Sequence, residues 1–206
     1  MIGSARLDPQ RAATVLLLSP ANLSGQRGQQ LCNPLAAFPL ARALRSAEGA
    51  ELGELFSFVS SLYFRGKLNY ACEFGHTSNG LPAVFVMSAG GGLCVPNERI
   101  TLDRLRDWAR VSIHQDNLHF TAPLIRHASA LLDAHDASTR FVLLGSVASN
   151  KYVTPLLEVF GDRLLFPSDF AGRGDMSRGS LLLRAVGERR ELAYASVAEQ
   201  ARSQRP

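Results

Sequence analysis

Three stretches of the chain are apolar at every position: 15–18, 83–87 and 141–144. Each lacks the alternation of a half-exposed strand, so each predicts a strand buried on both faces. The predicted strands run over 13–18, 83–88 and 140–145, with a shorter fourth over 163–166. Ser19-Pro20 ends the first, because proline cannot continue a ladder and holds the residue before it extended.

Helical period appears between the strands. Leu52, Leu55, Phe56, Val59, Leu62 and Tyr63 mark a helix over 51–74, interrupted near Gly66, with 68–74 as a second helix. Shorter helices are predicted over 39–47 and 123–135. Thr101 is placed to cap a helix reaching Val111, and Ser149 to cap one that ends at Gly161. Residues 170–179 read as a glycine-rich charged loop, and 180–186 as a helix start or a strand. Strands alternating with helices predict an α/β fold: a mostly parallel or mixed central sheet with helices on both faces. One domain over 1–190 and a flexible tail over 191–206 complete the reading.

Composition narrows the class. Hydrophobic residues are 46% and charged residues 19% of the 206, enough apolar content for a packed core. No apolar run nears the roughly 18 to 20 residues of a membrane span. The polar segment 1–10 does not resemble a secretory leader. A cytoplasmic protein with no membrane partner is expected. Cys32, Cys72 and Cys94 are odd in number and far apart, so no disulfide framework is expected. The five histidines show no metal-binding spacing, and neither metal nor cofactor is expected. The net charge is +4, carried by twenty arginines and only two lysines, Lys67 and Lys151. Such a balance permits a nucleic-acid partner without requiring one.

Small polar residues follow each predicted strand. Ser19, Pro20 and Asn22 follow the first, Ser88, Gly90 and Gly91 the second, and Ser149, Lys151 and Tyr152 the third. Ligands of open α/β sheets sit beyond the carboxyl ends of the strands, so the three loops predict one shared crevice. The glycines follow neither the P-loop nor the dinucleotide spacing, so no ATP or NAD site is expected. Lys151 opens a predicted helix, where it would bind phosphate or, if desolvated, act as a nucleophile. Arg173, Asp175, Ser177 and Arg178 crowd one glycine-flanked segment. Two arginines there would clamp phosphate, and Asp175 would orient one of them or serve as a base. The run 63–70 mixes aromatic residues with Arg65 and Lys67. It reads as a core helix edge with cations reaching outward.

Four segments, in order, resemble the peroxide-stress protein YaaA family. They are Leu18-Ser19-Pro20-Ala21-Asn22, the run 88–96, Ala148-Ser149-Asn150-Lys151-Tyr152, and Arg173-Gly174-Asp175-Met176-Ser177-Arg178. Where the family has a lysine after Ser-Pro-Ala, this chain has Asn22. The resemblance implies a DNA-binding protein of oxidative-stress or DNA-damage protection, with phosphates on Arg173, Arg178 and Lys151. DNA is the favoured partner over RNA, with a nucleotide-like small molecule as the other. The alternative is an N-glycosidase or base-exchange enzyme. There Asp175 would be the base or would stabilise a sugar cation, and Asn22 or Ser19 would hold the base edge. Oligomeric state is left open.

Overall fold

The computed structural model describes residues 12–203. The polar segment 1–10 lies outside them. Strand β1 (Thr14–Leu18) is buried at all five positions and forms the centre of the sheet. It pairs in parallel with β3 (Val84–Ser88) on one side and β6 (Arg140–Leu144) on the other. Strand β7 (Leu164–Pro167) extends the parallel set beside β6. Two antiparallel strands close the edges, β4 (Gly92–Cys94) on β3 and β8 (Tyr194–Ser196) on β7. The order is β4-β3-β1-β6-β7-β8. The fold is thus α/β, with a mixed, mostly parallel sheet between helices. Fully apolar strands fit this because both faces are covered. Strand β2 (Ala50–Glu51) and strand β5 (Arg99–Ile100) form a separate small ribbon.

The helices are α1 (Gln26–Cys32), α2 (Pro39–Arg45), α3 (Leu52–Phe74), α4 (Leu102–Ala109), α5 (Leu118–Ala134), α6 (Asn150–Phe160), α7 (Asp175–Gly187) and α8 (Val197–Ser203). Helix α3 does not break at Gly66. Its non-helical residue is Ser61, at φ 45° and ψ −115°. Helix α5 starts five residues before Pro123, because the Asn117 side chain caps it by accepting the His119 N–H at 3.2 Å. Thr101 and Ser149 stand at helix starts, but neither side chain makes a capping bond.

Three other segments differ from the sequence reading. Gly90 and Gly91 do not form a loop of the expected crevice. They turn β3 back onto β4, with Ser88 opposite Gly92. Residues 175–179 are not loop but the first turns of α7. The expected tail supplies β8 and α8. Its backbone is held by Leu192 N–H donating to Tyr70 Oη at 3.0 Å and Ser168 N–H to Ala193 O at 2.9 Å.

Candidate functional site

The chain leaves β1 towards β3 on one side, whereas β6 continues to β7 on the other. Loops after β1 and β6 therefore part, and a crevice opens between them at the switch point. The two strand ends meet closely. A Cβ on Gly145 would lie 3.0 Å from Ser19 Cβ, so a side chain there would crowd Ser19. A cavity of about 560 Å³ lies beyond these ends. The loop after β1 lines it with Ser19, Pro20 and Asn22. Asn22 Oδ1 accepts from Ser24 N–H at 3.0 Å and Ser24 Oγ at 2.7 Å, which fixes the turn. Its Nδ2 donor makes no hydrogen bond among the described residues.

The opposite wall comes from α3 and α7, which pack backbone to backbone. A Cβ on Gly66 would lie 2.8 Å from Gly179 O, and one on Gly179 would lie 3.0 Å from Tyr63 Cα. Gly66 is therefore a helix contact rather than a helix break. The contact sets Tyr63 and Phe56 of α3 and Asp175 of α7 on the cavity. Tyr63 Oη is buried and has no hydrogen-bond partner among the described residues. Burial pushes the Tyr63 phenol up to about 12, partly offset by the nearby Arg178 guanidinium.

Lys67 sits one turn below Tyr63 and is 1% exposed. Its Nζ donates to Ser19 O at 2.6 Å and lies 2.9 Å from Ser19 Oγ. It also lies 4.5 Å from the Tyr63 ring centre and 5.0 Å from that of Phe64. Burial pulls the amine down to about 7, against the opposing pull of Asp175. Lys67 makes no ion pair among the described residues.

Trp108 of α4 forms a third wall, and the hairpin glycines explain its position. A Cβ on Gly90 would lie 2.9 Å from Trp108 Cδ1, and one on Gly91 2.5 Å from Trp108 Cζ2. The indole thus rests on bare backbone. Ser88 is buried beneath it, with Oγ accepting the Gly91 N–H at 2.8 Å. The start of α6 closes the fourth side with Ser149, Lys151 and Tyr152.

Seven of the thirteen expected site residues line this cavity: Ser19, Pro20, Asn22, Ser149, Lys151, Tyr152 and Asp175. Ser88, Gly90 and Gly91 stand behind it and seat Trp108. Arg178 is 7% exposed and turned inward. Its Nε and Nη2 donate to Phe170 O at 3.3 and 3.2 Å, and its Nη1 reaches Asp175 Oδ1 at 3.5 Å. It holds the turn before α7 rather than clamping an anion with Arg173. Arg173 and Ser177 are exposed and do not line the cavity. Sequence reasoning missed Lys67, Tyr63 and Trp108. For Lys67 a signal exists: it falls on the stripe Tyr63, Tyr70, Ala71 and Phe74, where a cation is out of place. No group of three histidine, cysteine or acidic residues that could hold a metal occurs among the described residues, and no helix among them is long and apolar enough to cross a membrane.

Comparison of the chain with protein-family models, curated proteins and solved structures yields no match.

Proposed function

We propose that the cavity receives a nucleobase, free as a nucleoside or turned out of a strand, and that the protein is an N-glycosidase or base-exchange enzyme. One observation carries this reading. The rings of Tyr63, Trp108 and Tyr152 wall a space of about 560 Å³ that also holds the Asn22 amide and a single lining carboxylate, Asp175. The size suits a small molecule. Each ring that stacks on a base contributes about 1–3 kcal/mol. The Asn22 Nδ2 donor would meet a base carbonyl or ring nitrogen. Asp175 would stabilise the positive charge that builds on the sugar as the base leaves.

Release of free base from a nucleoside panel, and from single-stranded oligonucleotides, tests the reading. Wild type should release base, and Asp175→Asn should lose about 100-fold or more. Asp175 is exposed, so this variant should fold as wild type does. A folded wild type that releases no base from any substrate ends the proposal.

A second reading is the DNA-binding, peroxide-stress role that the YaaA resemblance implies. Its support is the +4 net charge, with Lys151 on the cavity and Arg173 two residues before Asp175. Each phosphate contact would steepen the fall of affinity with salt. Filter binding of single- and double-stranded DNA at two salt concentrations tests it, and no retention at low salt removes it.

A further inference from the structure

Ser19 and Lys67 form a pair that base binding does not use. Ser19 directly follows the central strand and lines the cavity. Behind it, Lys67 Nζ lies 2.9 Å from Ser19 Oγ and 2.6 Å from Ser19 O. A neutral amine has two N–H groups and one lone pair. One N–H meets the Ser19 carbonyl, and the lone pair can accept the Ser19 O–H. The amine is sealed from water and makes no ion pair among the described residues. This is the arrangement of a nucleophile with its general base.

We propose that Ser19 is a nucleophile activated by Lys67, and that the cavity is an acyl-transfer site for a small ester or amide. Ser19 Oγ attacks the carbonyl carbon while its proton passes to Lys67 Nζ. The carbonyl electron pair moves onto oxygen, then returns as the bond to the leaving group breaks. The leaving alkoxide or amine takes the proton from Lys67, and Ser19 is left as an acyl ester. Water repeats the sequence: it gives its proton to Lys67, attacks the ester, and Ser19 Oγ departs with that proton. The sum is hydrolysis, with no oxidant or metal required. Tyr63 is 6% exposed and lines the same wall, and its buried Oη is unpartnered among the described residues.

Burial favours the free-base form of Lys67 near neutral pH. Among the elements packed on α3, α7 brings the charge that acts on Lys67, Asp175, with Arg178 beside it. Tyr63 on this wall, and Tyr152 and Lys151 on the α6 side, are the other titratable groups at the cavity among the described residues. Both phenols are pushed upward by burial, so they stay protonated through the neutral range.

The test treats the full chain with a fluorophosphonate, which reacts with activated serines by losing fluoride, and maps the adduct by peptide mass spectrometry. One adduct on Ser19 is expected. Its rate should rise about tenfold or more between pH 5.5 and 8.5, with a midpoint near 7. Ser19→Ala should abolish it. Lys67→Met, which keeps the buried volume, should slow it about 100-fold or more. No adduct on Ser19, an adduct on Ser146 or Ser149 in its place, or a rate flat across this pH range would overturn the proposal. So would a folded Lys67→Met variant that labels as fast as wild type. The wild-type pH profile needs no variant to fold. No nucleoside is present in this assay, so its outcome and that of base release are independent.

Discussion

The two sides of the cavity each hold one of the chain's two lysines, and the fold treats them differently. On the α3 side, Lys67 is 1% exposed and makes both of its hydrogen bonds among the described residues to one serine. On the α6 side, Lys151 is half-buried at the rim, with its amine 5.0 Å from the Tyr152 ring centre. Both side chains belong to the same site. One is enclosed by two helices and a strand end, and the other keeps access to water. Burial, not residue type, decides whether an amine serves as a charge or as a base. The cavity therefore has a chemical wall and a recognition wall.

The largest break in this contrast comes from Gly66→Val. Lys67 is enclosed because α3 and α7 touch at Gly66 and Gly179, where even a Cβ would lie 2.8 Å from a carbonyl oxygen. Neither partner at that contact is a flexible side chain that can move aside. A loss of about 3 kcal/mol is expected in urea unfolding, at the upper end for overpacking. Water would also reach Lys67, so the midpoint of fluorophosphonate labelling should move above 7. A loss under about 0.5 kcal/mol would mean that the helices do not touch in this way.

The same contrast explains what the sequence makes legible. Strands β1, β3 and β6 are runs of apolar residues, and burial on both faces leaves just that trace. The polar loops after β1 and β6 are legible as walls of one cavity, and so are Asn22, Lys151 and Asp175, because water-facing chemistry uses polar residues. Strands β4 and β8 are not legible. Each has three residues, too few to show a period, and the turn between β3 and β4 is glycine-rich like a ligand loop. Trp108 and Tyr63 lie on helices with apolar faces, where an aromatic residue looks the same in a core and in a cavity wall. Arg178 carries a charge that suggests an anion, yet the Phe170 carbonyl, which also accepts the Arg173 N–H, claims it. Lys67 departs furthest from expectation. A lysine in an aromatic run reads as reaching out to water, and only the packing of α7 over α3 shows that it points inward.

The second break is smaller and depends on pH. The ordinary value for Lys67 is 10.5, and the folded value is about 7. Between these, the unfolded chain holds a proton that the folded chain lacks, so the wild-type fold gains stability as pH rises from 7 towards 10. Below 7 the full penalty of a buried ammonium remains. Lys67→Met removes that penalty and also the hydrogen bonds to Ser19, which offsets about 1 kcal/mol of the gain. The variant should be more stable than wild type at pH 6, and the difference should vanish by pH 10. Urea midpoints at pH 6, 8 and 10 measure this. Parallel curves for the two proteins would show that Lys67 keeps its proton throughout, and the two lysines would then not differ in kind.

The smallest effect belongs to Lys151→Ala. The contact of Lys151 with the Tyr152 ring is partly exposed and favours lysine by about 0.5–1 kcal/mol. A cation in the first turn of α6 opposes the positive end of the helix dipole, at a cost of about 0.3–1 kcal/mol. These two effects cancel, so stability should stay within about 0.5 kcal/mol of wild type and show none of the pH dependence of Lys67→Met. Any effect should fall on ligand instead. If Lys151 meets a phosphate, DNA affinity drops and the slope of log affinity against log salt shrinks by about one unit. A stability loss above about 1 kcal/mol would reverse the assignment of the two walls, because Lys151 would then be part of the scaffold and the recognition side would have no lysine.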